Sequence, residues 1–388
     1  MNKWQKYKIE DVCDFIGGSQ PPKSTFLNYQ KENYVRLVQT RDFKTDKFPT
    51  YIPVNSTTKF FGKEDIIIGR YGPPIFQIFR GILDGAYNVA LMKAVPKKNI
   101  TNDFLYYFLT QKKLFEYVDK LSARTGGQTG VDLVSLNKYP INLPDKTDQQ
   151  KIASVLSVLD SKIVLNNKIN IELDAMVKTL YDYWFVQFDF PNDNGKPYKS
   201  NGGKMIWNNE LKKEIPKGWC VKKVSDLLPV VTGKQDANFA TENGEYNFFT
   251  CGEEILKCNT YEFEGKAILI AGNGNFNIKL YEGKFNAYQR TYILIPNDER
   301  YYTLVYLAVR DRITSLSKGS RGSIVKFITK GDLEDIKIPL PENENLDIFS
   351  QLNIITKKIE KNILENQKLI ELRDWLLPML MNGQINIK

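Results

Sequence analysis

Nine positions between Ile152 and Leu180 recur between Ile348 and Leu376 at one constant offset of 196. The first set is Ile152, Leu156, Leu159, Ile163, Asn166, Asn170, Leu173, Val177 and Leu180. The second is Ile348, Leu352, Ile355, Ile359, Asn362, Asn366, Leu369, Arg373 and Leu376. Each set steps alternately by four and three residues. That rhythm is the 3.5-residue period of a coiled-coil seam, whereas two helices lying separately on their own domains would show a broader stripe of period 3.6. Two Asn at matched places in each seam predict a fixed register, obtained at some cost in stability.

The chain also repeats upstream of each helix. Trp4 in WQKYKIEDVCDFIGGSQ aligns with Trp219 in WCVKKVSDLLPVVTGKQ, which places Ile9 on Val224, Asp11 on Asp226, Gly18 on Gly233 and Gln20 on Gln235. Further on, IIIGRYG from Ile66 aligns with ILIAGNG from Ile268, Ala86-Tyr87 with Ala287-Tyr288, and INLP from Ile141 with IPLP from Ile338. The offset shortens from 215 to 196 while the order holds, so the halves are a duplication whose loops differ in length and whose apolar runs stay in register. Short strands are predicted at 65–68, 89–95, 266–270 and 292–295, with helices near 102–120 and 300–316, a mixed α+β pattern. The expected order is a globular unit at 1–145, a helix at 146–187, a linker at 188–215 rich in Gly, Pro, Asn and Lys, a second globular unit at 216–342 and a helix at 343–388.

At 388 residues the chain has room for two or three domains and needs no disulfide or metal to fold. It contains no histidine, which excludes Ser-His-Asp, Cys-His and His-dependent nuclease chemistry within this chain. Its four cysteines, at 13, 220, 251 and 258, form no C-x-x-C pair, so buried free thiols are expected in place of a structural zinc. No G-x-x-x-x-G-K-[ST] loop exists, and the G-x-G at Gly272 to Gly274 lacks the third glycine and the following helix of a dinucleotide site. Pro73-Pro74 lacks the preceding Asn or Asp of an adenine methyltransferase loop, and Pro144-Asp145-Lys146 sits in a connector. The opening MNKWQKYKIEDVCDF is too polar for a signal peptide and no run approaches 18 apolar residues, so a cytoplasmic protein without a membrane partner is expected. A binding protein, not an enzyme, fits this set of absences.

Lys and Arg number 54 against 45 Asp and Glu, and the resulting +9 favours an acidic partner. Polar, basic, glycine-containing loops recur in both halves and carry the candidate contacts. In the first half these are Gln20, Lys23, Arg70, Tyr71, Arg124 and Gln128; in the second they are Lys234, Gln235, Asn273, Asn275, Lys279, Arg290 and Arg321. Arg, Gln and Asn on loops are the side chains that read base edges bidentately, while Gly lets the backbone approach phosphates, so the duplicated set points to double-stranded DNA.

The central block DQQKIASVLSVLDSKIVLNNKI, then Leu180 to Pro191, GKPYKSNGGKM and EIPKGW, strongly resembles the specificity subunits of type I restriction-modification systems, the HsdS family, and the resemblance spans the whole chain. It implies two pseudo-repeated mixed α/β target recognition domains, each reading one half of a bipartite asymmetric site, separated by an antiparallel two-helix coiled coil that sets the spacer. It implies, as partners, two modification (methyltransferase) subunits that methylate adenine with S-adenosylmethionine. Restriction/translocase subunits using ATP and Mg would join them, so no cofactor or metal and no catalytic residue is expected in this chain. Antiparallel pairing with equal spacing would set Asn166 and Asn170 across from Asn362 and Asn366. The alternatives are a stand-alone DNA methyltransferase or nuclease with an unrecognised active site, which would need a cofactor motif, and a structural coiled-coil adaptor, which leaves the basic loops unexplained.

Overall fold

Lys8 and Lys223 begin the same construction in the two halves. In the computed structural model, which describes residues 4–72, 74–122, 130–274, 276–319, 327–343, 347–385 and 387, β1 (Gln5–Lys8) runs into the one-turn helix α1 (Ile9–Val12). The backbone N–H of Lys8 donates to the Asp11 carboxylate at 2.8 Å, and that of Ile9 to the Tyr139 carbonyl at 3.0 Å. Lys223 donates to Asp226 at 2.7 Å and Val224 to the Ile336 carbonyl at 2.9 Å. The repeated Asp is therefore a helix cap, which satisfies a backbone donor that would otherwise lack a partner.

The chain forms two compact units, one of residues 1–163 and 367–388 and one of residues 164–366. In the first unit the strands are β2 (Cys13–Gly17), β3 (Tyr34–Val38), β4 (Tyr51–Pro53), β5 (Phe60–Phe61), β6 (Ile66–Gly69), β7 (Ile78–Phe79), β8 (Gly85–Tyr87) and β9 (Leu91–Pro96). They make two sheets, ordered β2-β9-β6-β7 and β4-β3-β8-β5, with β3 and β8 parallel. The helices α2 (Asn102–Leu109), α3 (Lys112–Ser122) and α4 (Leu133–Asn137) follow, then β10 (Pro140–Leu143), which pairs with β1, and the long helix α5 (Lys146–Tyr181). The helix expected near 102–120 is thus two. Thr110 Oγ1 donates to the Tyr107 carbonyl at 3.0 Å and Gln111 Nε2 to the Phe108 carbonyl at 3.2 Å, so side chains take the acceptors that a continuing helix would use.

The second unit holds β11 (Met205–Asn208), β12 (Lys213–Pro216), β13 (Trp219–Lys223), α6 (Val224–Leu227), β14 (Val230–Thr232), β15 (Tyr246–Phe249), β16 (Leu256–Cys258), β17 (Phe263–Ala271), β18 (Ile278–Ala287) and β19 (Thr291–Leu294). After them come α7 (Tyr302–Gly319), α8 (Lys330–Glu334), β20 (Lys337–Pro341) and α9 (Asp347–Met381). One six-stranded sheet, β14-β19-β17-β18-β15-β16, replaces the two sheets of the first unit. Gly265 faces Gly283 across the β17–β18 hairpin with φ of 130° and 138°, so the long strands stay paired through a backbone distortion that side-chain-bearing residues resist.

Residues 188–215, expected as a linker, are folded. Phe190 stacks on Trp184, Tyr198 and Trp219, with ring centroids 4.8 to 5.2 Å apart, and β11 and β12 close a hairpin. Their Gly and Asn residues are the turns of this small structure, which is why the apolar signal has no period. The packing also cuts across the linear division of the sequence. Ile152, Ala153 and Leu156 share a core with Leu377, Leu380 and Met381 in the first unit, whereas Val177 and Tyr181 share one with Ile348, Phe349 and Leu352 in the second. All four cysteines are free, Cys13 and Cys258 buried, but Cys220 and Cys251 only half-buried. Burial pushes the Cys13 thiol up to about 12.

Both seams are turned away from solvent: none of their eighteen residues is exposed. Within the second unit Asn166 Nδ2 donates to Asn366 Oδ1 at 2.9 Å and Asn362 Nδ2 to Asn170 Oδ1 at 2.7 Å, the antiparallel pairing expected. Within the first, Arg373 donates to Asp160 at 2.9 Å, and Asp160 also accepts from the Tyr107 hydroxyl at 2.7 Å, so the charged seam residue is satisfied locally.

Candidate nucleic-acid interface

In each unit four chain segments converge, and the same backbone hydrogen bonds hold them. Gly18 donates to the Leu91 carbonyl at 3.0 Å, and Gly233 to that of Thr291 at 3.0 Å. Arg70 donates to Ala90 at 2.8 Å and accepts from Val131 at 3.0 Å; Gly272 donates to Arg290 and accepts from Ile328, both at 2.9 Å. Tyr71 bridges to Gly130, and Asn273 to Phe327. A Cβ on Gly18 would lie under 3.0 Å from the Asn88 and Tyr87 carbonyls, and one on Gly233 equally close to those of Ala287 and Tyr288. The two glycines of the sequence repeat therefore let one strand end press against a neighbouring backbone.

The loop that leaves β6 or β17 returns through a phenylalanine in the left-handed region, Phe76 at φ 56° and Phe276 at φ 49°. A bulky residue there is strained, and such strain concentrates at functional loops. Phe76 is buried in the first core and Phe276 packs against the second. Sequence reasoning missed this pair. The available signal was a Phe two residues before the second strand in the loops that follow both IIIGRYG and ILIAGNG.

This frame gathers many of the candidate residues. Gln20 and Lys23 are exposed just beyond Gly18; Arg70 and Tyr71 are half-buried at the first convergence. In the second unit Gln235 bridges to Tyr288, Asn273 is half-buried and Arg290 is exposed on the segment that receives Gly272. Arg124, Gln128, Asn275 and Arg321 lie outside the described residues. Two lysines are otherwise engaged: Lys234 pairs with Glu262, and Lys279 donates to the Gly252 carbonyl and, at 2.7 Å, to Asn277. Burial lowers the Lys279 pKa.

Charge pairing separates Arg70 from its neighbours. Among the described residues of the first unit, Arg36 and Arg41 pair with Asp42, Arg80 with Glu64 and Asp103, and Arg373 with Asp160. Arg70 has no acidic partner there, and its guanidinium lies 5.2 Å from the centroid of the Tyr71 ring. An unpaired, oriented cation at a loop convergence suits an anionic, hydrogen-bonding ligand.

No helix among the described residues is long and apolar enough to cross a membrane. The family model for the type I restriction modification DNA specificity domain matches residues 1–175 and again 216–369. The type I restriction enzyme EcoDI specificity subunit of Escherichia coli is 39% identical over 44% of this chain, a match that spans 40% of that subunit's own length. The MjaIX specificity subunit of Methanocaldococcus jannaschii is 25% identical over 99% of this chain and 94% of its own. The crystal structure of a type I restriction-modification S subunit from M. genitalium shares the fold, with a TM-score of 0.61 at 18% identity over 98% of this chain and 96% of that one. With two matched regions that cover most of its length, the chain belongs to the type I restriction-modification DNA specificity family and is a DNA sequence-recognition subunit.

Proposed function

We propose that each unit reads one half of a bipartite, asymmetric double-stranded DNA site in the cytoplasm, and that this chain recognises DNA without catalysing a reaction on it. The observation that carries the reading is one backbone frame built twice with different side chains on it: Arg70 and Tyr71 in one unit stand where Gly272 and Asn273 stand in the other. Equal frames present equal loops to a duplex, and unequal readers on them make the two half-sites different. Chemistry belongs to partners in this reading: two modification subunits carrying S-adenosylmethionine to adenine, and restriction/translocase subunits using ATP and Mg. The paired helices α5 and α9 set the unread spacer and dock the modification subunits. Apolar side chains left in solvent on both helices, Ile171 and Ile354 each 68% exposed, support a docking role.

Methylation mapping of the complex with its modification subunits tests the reading, with loop substitutions made in one unit at a time. Changes confined to one half-site support it; equal changes in both half-sites refute the modular assignment. Labelled S-adenosylmethionine with DNA and the isolated chain separates the alternative, because robust incorporation by this chain alone would make it a methyltransferase.

A further inference from the structure

We infer that Arg70 is a specificity-determining residue that reads a guanine in the major groove, an assignment that rests on the half-site reading above. The backbone of Arg70 is held from both sides, by Ala90 at 2.8 Å and Val131 at 3.0 Å. Its guanidinium lies over Tyr71, and Tyr71 is itself fixed by its bridge to Gly130, where a Cβ would stand 3.0 to 3.1 Å from the Tyr71 ring. Gly17 lies on another side, where a Cβ would make an ordinary contact, 3.7 Å, with Nη1 of Arg70. A guanidinium held beside an aromatic ring is suited to the paired acceptors O6 and N7 of guanine, which take a planar fork. A phosphate contact, which an arginine can also make, would position the protein without preferring any base, so the two roles separate by their effect on sequence preference. Gly272 occupies the equivalent place in the second unit and brings no side chain, so this guanine belongs to one half-site only.

The test uses the complex reconstituted with its modification subunits and a duplex library randomised at each half-site in turn, methylated positions being sequenced. For the parent complex, one position of one half-site is expected to be guanine. Arg70→Ala should lower discrimination for that guanine about 10- to 100-fold and leave every other position unchanged. Arg70→Gln should move the preference at that position towards adenine, whose N6 and N7 suit an amide. If Arg70→Ala fails to assemble, Arg70→Gln, which retains a long polar side chain, carries the comparison. A glutamine or alanine variant that weakens methylation of all sequences alike while keeping the guanine preference would make Arg70 a phosphate contact and overturn the inference. So would folded variants with unchanged preference at every position, although the bipartite pattern, and with it the proposed function, would stand. A parent complex that methylates no bipartite site would defeat the proposed function and this inference together.

Discussion

Asn166 donates through Nδ2 to Oδ1 of Asn366 at 2.9 Å, and Asn366 in turn donates to Asn167 at 2.8 Å. Asn166 Nδ2 also reaches Glu365 at 2.8 Å, so the pairing of the helices in the second unit is a small polar network inside an apolar seam. Replacing Asn166 by Leu leaves the Asn366 carbonyl without this donor and Glu365 without its amide, at an expected cost of about 1–3 kcal/mol in urea denaturation. Converting Asn166, Asn170, Asn362 and Asn366 together to Leu should be close to neutral or stabilising, with loss of register specificity. A single variant as stable as the parent would show that the network contributes nothing.

Gly18 and Gly233 supply a paired experiment. An alanine methyl at either position meets carbonyl oxygens of a packed backbone, not the end of a flexible side chain, so a strand end must move. Gly18→Ala and Gly233→Ala should each destabilise by about 1–3 kcal/mol. In a methylation map of the assembled complex, Gly18→Ala should blur one half-site and Gly233→Ala the other.

Glu360 on α9 accepts from the Tyr302 hydroxyl of α7 at 2.9 Å. Burial raises its carboxyl above the ordinary range, although the nearby Lys266 and the Tyr302 bond both lower it. The folded state therefore holds this proton more tightly than the unfolded state. Its contribution to stability falls as pH rises from the ordinary carboxylate range through the raised value, and is constant above that. Glu360→Gln keeps an acceptor for Tyr302 and removes the titration. Denaturation across about pH 4 to 8 should show the variant gaining on the parent as pH rises, then a plateau; parallel curves would contradict the assignment.

The seam was legible because the 3.5-residue period is a property of spacing alone; the antiparallel orientation came from the family resemblance, and equal spacing then set Asn166 and Asn170 across from Asn362 and Asn366. Asn167 and Glu365 were not legible. They lie one residue off the seam, and only side-chain reach brings them into the network. The frame around Gly18 and Gly233 could be anticipated as two aligned glycines, but their reason, a carbonyl pressed close on the Cβ side, depends on strands distant in sequence. Lys279 looked like a loop cation by composition; its ammonium instead fastens the Gly252 segment, a choice made by tertiary packing. The aromatic ladder of Phe190, Tyr198 and Trp219 escaped because irregular loops bury rings without any period.

Phe76 makes the strain in the loop frame measurable. Its side chain fills the first core, so truncation should be costly, about 3–5 kcal/mol for Phe76→Ala. Its backbone, at φ 56°, is a conformation that glycine adopts freely and alanine does not. In an ordinary strand or helix glycine is the less stable of the two by about 0.5–1 kcal/mol. Here the order should invert, with Phe76→Gly more stable than Phe76→Ala by about 1 kcal/mol, because both lose the same ring contacts and only one keeps the strain. Phe276, at φ 49° in the second unit, should show the same inversion with a smaller truncation cost, since its ring is only partly buried. Denaturation midpoints of the four variants decide the matter: an alanine variant at least as stable as its glycine counterpart at both positions would mean that the left-handed turn is not held in the folded protein, and that the loops carrying Arg70 and Asn273 are not pre-set by it.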